Sequence, residues 1–202
     1  MEDIYQIIHL FEKNGGIMTM RDLNNKGVAY DAVRKMIKTG TIEPVKRAIY
    51  KLSNADIDDY LEAQTLVKKG IFCLYSAALI HELSTFIPTE HHLAIPKKNK
   101  VNLPDYPPIQ TYYWHAAQHS IGIQEINKNG NLIEVYDKEK TVCDFLKFRN
   151  KVGLDSTKEV LKTYLNSRER NIDKLVKYAK PLRVSSIIDQ YLTILLLSLI
   201  HI

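Results

Sequence analysis

Between Lys26 and Lys51 the chain carries seven basic side chains and two acidic ones, a local charge of +5. Within that stretch, "VAYDAVRKMIKTG" places Val33, Met36 and Ile37 on one side at helical spacing, with Ala29 and Ala32 able to join them. Tyr30, Asp31, Arg34, Lys35 and Lys38 fall on the other side. The chemistry such a face can do is recognition of an anionic duplex. A guanidinium at Arg34 can bind guanine O6 and N7 together, while Tyr30, Lys35 and Lys38 suit the backbone or base edges at the margin. Lys46 and Arg47, between "TIEPV" and "AIYKLS", are placed to hold phosphate. The competing reading is a protein-facing or solvated surface, because basic residues opposite a core face often serve no partner.

No catalytic, metal or cofactor site is expected. His115 and His119 are four apart, but Trp114 and two alanines accompany them in a region that reads as strand or loop. His91 and His92 are adjacent, so both will not turn toward one ion. His81, in "SAALIHEL", reads as a core or edge histidine. Cys73 and Cys143, seventy residues apart and each beside apolar neighbours, read as buried thiols and not as a disulfide framework. Neither GxGxxG nor GxxxxGK[ST] occurs.

The elements that would position the basic face are legible. "IYQIIHLFEK" (residues 4–13) has one apolar face, and "NGG" stops it. "TMRDLNNKG" begins with Thr19 as N-cap, with Asp22 three residues on, and ends at Gly27. Ala29 is a poor N-cap for the helix that follows. Pro44 makes "TIEPV" an edge strand. Helix, short helix, helix and hairpin within residues 1–53 predict a winged helix-turn-helix whose third helix enters the major groove. With one such module, specific affinity calls for a homodimer on paired half-sites.

Residues 56–196 predict a second, α+β domain with a small, mostly antiparallel sheet and C-terminal helices. Helix is expected over roughly 76–81, then short β-rich runs "HLAIP", "IQTYYWH", "SIGIQEIN" and "LIEVYD", with "NKNGN" as a hairpin turn. Four helical stretches follow from Lys138. Charge divides along the chain as +3 over residues 1–51, −4 over 52–137 and +6 over 138–202, so basic ends enclose an acidic middle. The late basic groups alternate with apolar anchors, and solvated faces account for them; an RNA or an acidic protein bound by this domain would land on these helices. The opening residues lack the pattern of a signal peptide, and the longest apolar stretch, "YLTILLLSLIHI", is twelve residues. A cytoplasmic protein without membrane contact is expected.

Four stretches resemble the AbiEi family, the antitoxin and transcriptional-repressor component of type IV toxin–antitoxin and abortive-infection systems. They are "GIMTMRDLNNKGVAYDAVRKMIKTGTIEPVKRAIYKLS", "KGIFCLYSAALIHELSTFIP", "VYDKEKTVCDFLKFRN" and "LKTYLNSRERNIDKLVKYAKPLRVSSIIDQYL". Tyr136, Asp137, Glu139, Lys140, Thr141, Cys143 and Asp144 match the family's "YD-x-ERT-x-CD", with Lys140 in place of arginine. The resemblance implies an autorepressor that binds operator inverted repeats in double-stranded DNA. It also implies neutralisation of a nucleotidyltransferase-like toxin without a stable complex. Tyr30, Arg34, Lys35 and Lys38 would take the recognition-helix role, and Lys46 and Arg47 the wing role. Where the family's wing tip reads "RG-x-Y", this chain has "RAIY", with Ala48 in the glycine place. "YDKEKTVCD" has two readings, an antitoxin-specific surface or the packed start of a helix, and the second is favoured. The alternative function is a winged-helix adaptor for protein or RNA without operator specificity. Residues 197–202, "LSLIHI", match the in-frame translation of a transposon-end sequencing adapter, and a non-native tail is expected there if the match is not coincidence.

Overall fold

A computed structural model describes residues 4–199 of the chain. Its backbone divides into two compact units, Met1–Lys69 with Val101–Ile109 and Glu125–Ile133, and Gly70–Lys100 with Gln110–Gln124 and Glu134–Ile202. The first unit therefore takes in more chain than the continuous 1–53 segment expected from the sequence.

In the first unit, α1 (Ile4–Lys13) buries Ile7 and Phe11. Gly15 and Gly16 then reverse the chain at positive φ, with the Gly16 N–H bonded to the Phe11 carbonyl at 2.7 Å. A Cβ on Gly15 would stand 2.3 Å from Leu61 Cδ2, so the turn needs glycine for space as well as conformation. Next come β1 (Ile17–Thr19), α2 (Met20–Asn25), α3 (Tyr30–Lys38), β2 (Ile42–Lys46), β3 (Ile49–Leu52) and α4 (Asp59–Leu66). The three strands form an antiparallel sheet in the order β1-β3-β2, with Met18 opposite Tyr50 and Ile42 opposite Leu52. Pro44 lies on β2, an outer strand, where its missing N–H costs no ladder bond. Phe11, Met18, Leu23, Val33, Met36 and Ile42 make the core.

Five further strands form a mixed sheet in the order β6-β5-β4-β8-β7. They are β4 (Ile71–Phe72), β5 (His91–Pro96), β6 (Ile109–Trp114), β7 (Ile123–Lys128) and β8 (Asn131–Tyr136). β4 pairs antiparallel with β5 and parallel with β8, through Phe72 opposite Val135. Asn129 and Gly130, at φ 52° and 86°, make the two-residue turn between β7 and β8 that "NKNGN" predicts. α5 (Leu74–Ile80) starts earlier than the expected helix, and α6 (Ala116–His119) is a single turn. α7 (Lys138–Val152), α8 (Leu154–Asn166), α9 (Ile172–Leu182) and α10 (Ser185–Leu199) complete an α+β architecture. Among the described residues no helix is long and apolar enough to cross a membrane. Of the 197–202 tail, residues 200–202 lie outside the described residues.

His92 sits in the second unit, 7% exposed. Its ring is stacked on Tyr112 and hydrogen-bonded through Nδ1 to the Tyr112 hydroxyl at 2.9 Å. Burial, with a smaller effect from His91, lowers its pKa to about 4.

Ala48 closes the β2–β3 turn at φ 61°, a left-handed conformation that costs a residue with a Cβ roughly 1 kcal/mol. Ala48→Gly should therefore raise the thermal midpoint by about 2–4 °C, and a lower midpoint would contradict the turn. His92 stays neutral when folded and protonates when unfolded, so its stabilisation is present above pH 6.5 and lost as pH falls toward 4. Relative to His92→Gln, the wild type should lose about 2 kcal/mol between pH 7 and pH 5 in urea unfolding. An unchanged difference would show that the imidazole is not held neutral.

Candidate nucleic-acid interface

α2 is fixed at its start by Thr19, whose Oγ1 accepts from the Asp22 N–H at 3.1 Å and donates to Asp22 Oδ2 at 2.5 Å. Leu23 anchors it in the core, fully buried. The chain turns at Gly27 (φ 84°) and enters α3 through Ala29, which supplies no side-chain cap. The rotation of α3 is set by Val33 and Met36, both at 0% exposure. Their burial sends Tyr30, Arg34 and Lys38, one turn apart, to the outer face, with Asp31 and Lys35 beside them.

From Tyr30 to Lys38 that face runs roughly 12 Å along the helix axis, comparable to the width of a B-DNA major groove. Tyr30, Arg34, Lys35 and Lys38 are exposed, and among the described residues their side chains make no hydrogen bond or ion pair. Some neighbouring charge is already compensated. Lys51 Nζ lies 3.2 Å from Glu43 Oε1 across β2 and β3. Asp31 in the first turn of α3 and Lys35 and Lys38 in the last turn also complement the helix dipole.

The two basic residues of the β2–β3 turn differ. Arg47 is exposed at the tip. Lys46 is half-buried, its ammonium donates to the Asn102 carbonyl, and burial lowers its pKa. Of the pair, Arg47 has the freer charge. The segment 101–109 that engages Lys46 carries no sequence signal linking it to the turn.

The "YDKEKTVCD" run occupies the start of α7. Asp137 caps the helix, accepting from the Lys140 N–H at 2.8 Å, and its own N–H donates to the Gly122 carbonyl at 2.7 Å. Tyr178 and Lys174 also reach Asp137, and Lys174 bridges to Glu139 at 3.2 Å. Tyr164 donates to the other Glu139 oxygen at 2.9 Å. Lys140 and Asp144 are both at 0% exposure, with Nζ 2.5 and 2.7 Å from the two carboxylate oxygens. The same ammonium stands 4.0 Å from the ring centroids of Trp114 and Tyr136. Burial raises the Asp144 pKa while Lys140 opposes that rise. Gly122, at φ 71°, lets the chain pass close by: a Cβ there would lie 2.7 Å from Lys140 Cβ. These residues are the packed start of a helix.

The histidines do not gather. His81 donates Nε2–H to the Tyr136 carbonyl at 2.7 Å, and no group of three metal-ligating side chains forms among the described residues. Cys73 and Cys143 are buried and free, with both thiol pKa values pushed up by burial.

No family model matches the chain, and no curated protein matches it either. Among solved structures it is similar to the crystal structure of the RV2827C protein from Mycobacterium tuberculosis, with a TM-score of 0.54 and 14% identity. The match covers 87% of this chain and 70% of that one, and at this identity it is a likeness of fold alone.

Removing one member of the Lys140–Asp144 pair leaves the other charge buried alone. Lys140→Met should cost about 3–5 kcal/mol in chemical denaturation, and adding Asp144→Leu should recover most of it. A single variant as stable as wild type would show that the pair is not closed to water.

Proposed function

We propose that this chain is a sequence-specific, DNA-binding transcriptional autorepressor and the antitoxin of a type IV toxin–antitoxin pair. In this reading the first unit is a winged helix-turn-helix, with α2 positioning α3 in the major groove and the β2–β3 turn as the wing. The observation that carries it is the unpaired outer face of α3, bearing Tyr30, Arg34, Lys35 and Lys38. Arg34 reads guanine edges, the other three contact backbone and marginal base edges, and Arg47 holds phosphate beside the groove. Lys46 joins it only by releasing the Asn102 carbonyl. Two copies on an inverted repeat supply the affinity that one module lacks.

The antitoxin half of the proposal rests on the resemblance of the four quoted stretches to the AbiEi family. It places the protein in the cytoplasm, opposing a nucleotidyltransferase-like toxin without a stable complex, and assigns it no catalysis. The second reading is a winged-helix adaptor for protein or RNA. Its support is that Asp31, Lys35 and Lys38 already complement the dipole of α3, which accounts for part of the charge without any nucleic acid.

Gel retardation on DNA from the chain's own upstream region tests the first reading. Arg34→Ala should weaken the specific complex by roughly 10-fold or more, in line with about 1–3 kcal/mol for a bidentate base contact. Arg47→Ala should weaken specific and random duplexes alike and reduce the salt slope by about one. Retardation that ignores both substitutions, or a random-duplex selection that enriches no sequence, would transfer the case to the adaptor. Rescue of growth on coexpression with a neighbouring nucleotidyltransferase-like product tests the antitoxin role.

A further inference from the structure

On the second unit, away from the residues of the proposed duplex interface in sequence and role, a cavity of about 680 Å³ opens beside β6, α7 and the end of α9. That volume is in the range of small-molecule sites. Its aromatic walls are Tyr113, 51% exposed, with Trp114 and Phe148, whose rings meet edge to face at 5.1 Å. Among the described residues its charged groups are Lys147 and Arg183, and no carboxylate lines it. Lys147 Nζ lies 4.4 Å from the Trp114 ring centroid and donates to Gln118 Oε1 at 3.0 Å. The nearby carboxylate of Asp144 is already held by two contacts to Lys140. The Arg183 side chain makes no hydrogen bond or ion pair among the described residues. Burial lowers the Lys147 pKa, Asp144 opposes that fall, and Lys140 and Arg183 add to it, so an arriving anion would meet Lys147 and Arg183 together.

We propose that this cavity binds a nucleotide, with phosphate on Lys147 and Arg183 and the base against Tyr113 and Phe148. The planar guanidinium fork matches phosphate oxygens, and an exposed ring offers the stacking surface that every base accepts. An acidic peptide would satisfy the cations but leave the aromatic walls unmatched. The same chemistry is offered by a free nucleotide and by one residue of a single strand. The inference is independent of duplex recognition by α3.

Trp114 is the chain's one tryptophan and lines the cavity, so intrinsic fluorescence reads occupancy without a label. The full-length protein carrying Arg34→Ala, which removes the main proposed duplex contact, would be titrated with AMP, a single-stranded RNA decamer, inorganic phosphate and a Glu-Tyr-rich peptide. A saturable change with AMP assigns a free nucleotide, and one with the decamer alone assigns a strand. Arg183 sits in a left-handed conformation at the end of α9 (φ 61°, ψ 44°), which glycine adopts without strain. Arg183→Gly therefore removes the guanidinium while sparing the fold. It should weaken binding at least 10-fold with no fall in the thermal midpoint, and Lys147→Gln should act in the same direction. No saturation by AMP or RNA, an equal response to phosphate or peptide, or unchanged affinity in Arg183→Gly at an intact midpoint would each overturn the assignment.

Discussion

An ammonium and a carboxylate with no access to water can persist only if they satisfy each other. Lys140 and Asp144 do so through two short contacts one helical turn apart. The attraction only offsets the cost of taking both charges out of water, so what surrounds them is constrained. Trp114 and Tyr136 lay their ring faces against the ammonium. Gly122 leaves room where a side chain would collide. Asp137 holds the first turn of α7 in place, and Lys174 and Tyr178 hold Asp137. The arrangement is not without cost: the Trp114 indole N–H is buried with no hydrogen-bond partner among the described residues, a penalty of about 1–3 kcal/mol.

That constraint accounts for the chemistry of the neighbouring surface. Asp144 makes its close contacts with Lys140 and, although it still favours the Lys147 cation, the hydrogen-bond partner of Lys147 is an amide oxygen, with Arg183 nearby. Positive charge is thus left beside exposed aromatic surface. In the first unit a different rule leaves charge free. Val33 and Met36 enter the core and fix the rotation of α3, and among the described residues Arg34, Lys35 and Lys38 make no ion pair. On β2 and β3, by contrast, Glu43 and Lys51 face each other and neutralise.

Much of this was legible in residue types. The 3.6-residue spacing of Val33, Met36 and Ile37 gave the two faces of α3, since a helix turns at a fixed angle per residue. Asn129-Gly130 announced its turn because few other pairs adopt two successive positive φ values at low cost. Ala48 closes the β2–β3 turn at φ 61°, a conformation that glycine takes at lower cost, and its own residue type does not announce it. The pattern "YDKEKTVCD" read as a packed helix start, and its side chains other than that of Lys138 are buried there. Other elements left little trace. β1 is three residues and β4 two, too short for alternation to register, and both exist because a neighbouring strand offers them hydrogen bonds. The parallel pairing of β4 with β8, within a sheet expected to be mostly antiparallel, joins residues more than sixty positions apart.

The sequence by itself determined the longer helices, where their apolar faces lie, and that basic groups concentrate on α3, because these properties depend on neighbours within a turn or two. Only the tertiary structure decided which of those charges stay free. Lys46 and Arg47 are adjacent and chemically alike, yet a carbonyl fifty-six residues away engages one and leaves the other exposed. Lys140 and Lys147 lie on one helix, yet one is sealed against Asp144 and the other borders a cavity. Desolvation and partner distance set what a charge can do, and both depend on chain that is remote in sequence.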